Sequence, residues 1–127
     1  MRSSRGSISA LTVCLVLSMM TLIGLVLDGG ASINEYVRLS DIAENAARAG
    51  AQEVSGIRTG DVRIDSQAAE IVGQKYLRFH GVTGTVTTTL DSVVVEVSGE
   101  TSFQILGLIG LSSRSIHVLR TARLVAG

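Results

Sequence analysis

The sequence has 127 residues and sets 11 basic side chains against 11 acidic ones, so no net field draws it toward nucleic acid or an acidic substrate. Cys14 is its one cysteine, which excludes an internal disulfide and a cysteine-held metal cluster. The length suits one small domain plus an anchor, and a globular part with few aromatic rings and many small side chains buries too little to stand without a partner or a membrane.

Charge is distributed unevenly. Arg2 and Arg5 form a short basic leader over residues 1–6, and every acidic residue lies beyond the apolar run that follows. From Ile8 to Leu27 that run is interrupted only by Ser9, Thr12, Ser18 and Thr21. Twenty helical residues rise about 30 Å, the thickness of the hydrocarbon core of a bilayer. Hydroxyl groups bond back to the preceding turn, so they do not oppose insertion. A cleaved signal peptide would need a shorter apolar region of about 7–15 residues and a small-x-small cleavage site. Residues 7–27 are therefore expected to be a transmembrane helix. Arg2 and Arg5 before it, with Asp28 and Glu35 after it, predict a cytoplasmic N-terminus and an extracytoplasmic remainder. Asp28 then marks the membrane boundary, or pairs with a cation of a partner.

The helix need not stop at Asp28. Ile33, Tyr36, Ser40, Ala43, Ala47, Gly50 and Val54 fall on one stripe at heptad-like spacing, which predicts that the helix continues over 28–56. Glu44 and Arg48 are a favourable pair four residues apart. Gly56 is a natural stop, and Gly29–Gly30 is the weak point of the run, suited to a hinge. Small residues let backbones approach closely. Ile33, Tyr36, Ala43, Ala47, Gly50 and Val54 are thus a candidate helix-packing surface, either toward the chain's own head or toward neighbouring helices.

Residues 57–127 read as a small αβ head. Asp65 or Ser66 caps a second helix with Ala69, Val72, Tyr76 and Phe79 as its apolar stripe, and Gly81 ends it. "GTVTTTL" and "VVVEVSGETSF" have the β-branched content of a hairpin turning at Asp91–Ser92. Val86, Thr88 and Leu90 then share a face with Val93, Val95 and Val97. "SIHVLRTARLV" alternates as a last strand with Ile116, Val118, Ala122 and Leu124 inward. Between the strands lies "FQILGLIGL", too short to span a membrane and too apolar for an ordinary loop. Phe103, Ile105, Leu106, Leu108, Ile109 and Leu111 either fold onto the sheet or long helix, or touch the bilayer surface or a partner subunit. The fold class is α+β: a long N-terminal helix followed by a head of one helix on an antiparallel sheet of about three strands.

No constellation for chemistry emerges. His80 and His117 lie in different elements without ligand-spaced neighbours. "GVTGT" lacks the lysine of a phosphate loop and precedes a strand. No serine sits in a G-x-S-x-G elbow. No enzyme activity and no cofactor are expected.

The order of parts does carry a resemblance. The basic leader ending in Gly6, the uncharged span, "LVLDGG", the Ala-rich "LSDIAENAARAGAQEV", "FQILGLIGL" and a final "ARLVAG" strand resemble the TadE/TadG-like proteins. These are minor pilins or pseudopilins of the tight-adherence, Flp-type pilus machinery, and the likeness is to short forms found in actinobacteria. The resemblance implies a structural protein of the bacterial cell membrane, single-pass, with an extracytoplasmic pilin-like head. Its implied partners are other pilins or pseudopilins, pilus-assembly membrane proteins, the lipid bilayer and copies of itself. Similarity to type IV pilins implies cutting by a prepilin peptidase between Gly6 and Ser7. Leu11, however, stands where pilins carry a glutamate that meets a neighbour's new terminal amine. An amine left unpaired in an apolar bundle is costly. Either the leader stays on, or the subunit sits at a tip or in an initiating complex. The competing reading is a membrane-tethered binding domain with no pilus role, against which stands the absence of convergent polar residues.

Overall fold

The computed structural model describes residues 5–124, so Arg2 and the last residues of "ARLVAG" lie outside it. Helix α1 spans Arg5–Ala51 as 47 residues and is about 70 Å long. Short strands β1 (Val54–Ser55) and β2 (Arg63–Ile64) pair antiparallel, Val54 opposite Ile64. Helix α2 (Ser66–Phe79) follows, then β3 (Thr83–Thr88), β4 (Ser92–Ser102), a 3₁₀ turn at Leu106–Ile109 and β5 (Ser113–Arg123). The larger sheet has the order β3-β4-β5. The expected α+β architecture is the one observed.

The described chain forms two compact units. One contains 5–33 and 101–114, and the other contains 34–100 and 115–124. Helix α1 runs unbroken through Gly29 and Gly30. In its apolar part Thr12, Ser18 and Thr21 donate to the carbonyls of Ile8, Cys14 and Leu17 at 2.8–2.9 Å, which removes the polar penalty of those hydroxyls.

The second unit is the head. Leu39, Ile42, Ala43, Ala46 and Ala47 of α1 are buried with Ala69 and Leu77 of α2, Val93, Val95 and Val97 of β4, and Ile116 and Val118 of β5. Small residues on α1 set its close approach. A Cβ at Gly50 would lie 3.1 Å from the Ala69 carbonyl oxygen and 3.3 Å from Val93 Cγ1. Helix α2 approaches β3 in the same way, since a Cβ at Gly73 would meet the Val86 methyls at 3.0 and 3.1 Å. Asp65 caps α2 by accepting from the Ala68 N–H at 3.1 Å, and Gly81 follows with φ of 65°. Val86 pairs with Val95 and Thr88 with Val93, the register that puts these residues on one face.

Three local expectations are corrected. Helix α1 ends at Ala51, not near Gly56: Val54 and Ser55 take a β ladder to Arg63–Ile64, and Gly56 serves a turn with φ of 79°. Leu90 is 67% exposed and lies outside β3, in the turn that Thr89 closes by bonding Ser92. The buried stripe of α2 is Ala69, Gly73 and Leu77, while Phe79 is 86% exposed. Gly73 belongs to the core although glycine carries no hydropathy, because its missing side chain is what admits Val86.

Candidate functional site

The most specific arrangement lies in the first unit and starts from two residues one helical turn apart. Side chains at i and i+4 share a helix face, so Gly24 and Asp28 present a bare backbone beside a carboxylate. The chain between β4 and β5 packs there. A Cβ at Gly24 would come within 2.7 Å of Ile105 Cγ2, so only glycine admits Ile105 at this distance. Above it, Asp28 Oδ1 accepts the Gln104 N–H at 2.9 Å, and Oδ2 accepts those of Ile105 and Leu106 at 3.0 and 2.7 Å.

These three N–H groups open the 3₁₀ turn and have no backbone carbonyl ahead of them to bond. The carboxylate satisfies all of them and is itself only 1% exposed. The hydrogen bonds, that from Leu106 foremost, hold the Asp28 carboxyl below its ordinary value against the opposing effect of burial.

The rest of the segment is tied to itself. The Phe103 N–H donates to the Ser112 carbonyl at 3.0 Å, and Leu108, Gly110 and Leu111 donate to the carbonyls of Ile105, Gly107 and Leu106 at 3.1–3.2 Å. Gly110 closes the turn at φ of 96°, in the left-handed region. Phe103, Ile105 and Leu106 are half-buried. Leu108, Ile109 and Leu111 are 81%, 68% and 55% exposed.

The other residues singled out from sequence do not gather at this site. Gly6 and Ser7 are exposed in the first turns of α1. Ala43, Ala47 and Gly50 are buried in the head. Tyr36 and Ile33, N-terminal to that core, are 44% and 65% exposed, and Val54 is half-buried in β1. The seven-residue stripe is therefore not one surface, because the helix ends before Val54 and the core begins only at Leu39. Glu44 and Arg48 do pair, and Arg38 binds Glu35 through two hydrogen bonds of 2.7 and 2.9 Å. Arg120 of β5 reaches Ser40 Oγ at 2.5 Å.

The Asp28 contacts escape sequence reasoning because their partners lie 76 to 78 residues away and are backbone N–H groups, which any residue but proline supplies. The available signal was indirect: a charge closing an apolar run, a glycine four residues before it, and one uncharged apolar loop.

Residues 6–53 match the family model described as "Putative Flp pilus-assembly TadE/G-like". Over that stretch the long helix is similar to the TadE/G-like proteins. The match takes in Asp28, Gly24 and nearly all of α1, and stops two residues past its end. The matched segment thus coincides with one structural element, while α2 and the β-strands lie beyond it. Its apolar part is long and apolar enough to cross a membrane. Comparison with curated proteins and with solved structures gives no match.

Proposed function

We propose that this chain is a minor pilin- or pseudopilin-like structural component of a Tad/Flp-type pilus or a related secretion apparatus. The observation that carries the reading is the family match over residues 6–53, which coincides with α1. The apolar part of α1 crosses the cell membrane once. Arg2 and Arg5 keep its N-terminus cytoplasmic, and the head stands outside. Asp28 lies at the outer boundary, one residue past the apolar run. A prepilin peptidase would cut between Gly6 and Ser7, both accessible on the helix surface.

Its work is mechanical. Helix α1 packs among other pilins, pilus-assembly membrane proteins and copies of itself, and the β-rich head is displayed. With Ala43, Ala47 and Gly50 occupied by the head, the face left for neighbours includes Ile33, Tyr36 and Val37, all exposed. Capture of the tagged full-length chain from detergent-solubilised host membranes tests this. Pilins and pilus-assembly membrane proteins are expected to co-purify. Recovery of the chain alone would favour a tethered domain without a pilus role. An intact mass of the captured chain decides cleavage at Gly6–Ser7.

A further inference from the structure

We propose that the segment Phe103–Ser112 is a second membrane contact: seated on α1 by Asp28, it buries Leu108, Ile109 and Leu111 in the outer interface of the bilayer. This rests on the reading that α1 crosses the membrane.

Ile105 packs on Gly24, which lies inside the apolar run and only about 4.5 Å along the helix from its end at Leu27. Interfacial elements bury their apolar faces about 5–10 Å into the headgroup and acyl boundary. The seat therefore holds the segment at the level where such elements reside.

No charged residue occurs from Thr101 to Ser113. Backbone polar groups entering lipid must be satisfied within the protein. Here Gln104, Ile105 and Leu106 donate to Asp28, and Phe103, Leu108, Gly110 and Leu111 donate to carbonyls of the same segment. Such a loop enters an interface without leaving those donors bare, and its exposed side chains are Leu108, Ile109 and Leu111 with the uncharged Gln104 and Ser112.

Leu22, Ile23 and Val26 flank Gly24 and are 56% or more exposed, so the loop adjoins a helix surface that itself faces lipid. A protein partner would have to reach the same lipid-level position. The consequence is an anchor of two parts, in which the loop fixes which side of α1 meets the interface.

The chain has no tryptophan, so a single one reports cleanly. Full-length L108W and L17W are reconstituted in phosphatidylcholine vesicles whose acyl chains carry bromine at shallow or deep positions. L108W is expected to emit in the blue and to be quenched most by shallow bromine, and L17W most by deep bromine. Adding D28A to L108W is expected to lower the shallow quenching. L17W quenched beside an unquenched, water-like L108W overturns the loop contact while sparing the anchor. An unquenched L17W overturns the anchor and the loop contact with it. A blue but unquenched L108W, shifting with the protein-to-lipid ratio, assigns the patch to a second copy and overturns the proposal.

Discussion

At Asp28 one carboxylate replaces solvent for three consecutive N–H groups, and each atom of that arrangement has a testable consequence. Asp28→Asn swaps one accepting oxygen for a donor that opposes an N–H. Hydrogen exchange at Gln104, Ile105 and Leu106 should accelerate by about tenfold or more, since buried donors left unsatisfied are costly. Unchanged protection would sink the seat. The pH dependence has a definite sign. Because the folded carboxyl titrates below its ordinary value, the seat contributes fully above about pH 4 and is lost as pH falls through the lowered value. The amide resonances of Gln104–Leu106 should therefore hold position down to pH 4 and move only below it; movement near pH 6 would implicate another group. Gly24→Val should displace Ile105, because even a lone Cβ would come within 2.7 Å of its Cγ2. Little at this scale was legible in the sequence. Asp28 stood out by its position, but its partners are main-chain groups without a residue signature.

Elements were far more legible, because periodicity and punctuation are local. Asp65 and Gly81 mark the start and stop of α2, and both act as their chemistry requires. The β-branched runs gave β3, β4 and β5 with the inward face of the last strand intact: Ile116 and Val118 are buried, Ala122 and Leu124 half-buried. Their extents are less local. Heptad spacing carries α1 to Val54, whereas Val54 and Ser55 find strand partners in Arg63 and Ile64. The Ala-rich stretch has a concrete purpose inside the head, where Gly50 and its neighbours bring α1 close to α2 and β4. Ala47→Leu overfills that contact and should destabilise the head by about 1–3 kcal/mol. Ile33→Ala, at an exposed site, should change stability by no more than about 0.5 kcal/mol. Thermal unfolding of the full chain in detergent compares the two directly, and equal effects would refute the assignment of the Ala-rich face to the head.

For the whole molecule, α1 is shared between tasks. Its first part supplies the apolar span and the seat for residues 104–106, and its last part supplies Leu39, Ile42, Ala43, Ala46 and Ala47 to the head core. Removing residues 1–51 should unfold the head by circular dichroism, whereas removing 1–33 keeps every one of those side chains. The family match covers the shared helix, which is why the pilus reading attaches to α1 and not to the sheet. The helix is proposed to work within a pilus or secretion assembly. The most direct measurement is to shear surface fibres from cells and identify the proteins in the fibres and in membrane complexes, with an intact mass for this chain. The chain is expected in the fibre, or bound to fibre components in the membrane. A chain found wholly in the membrane as a monomer, free of any such component, would contradict it.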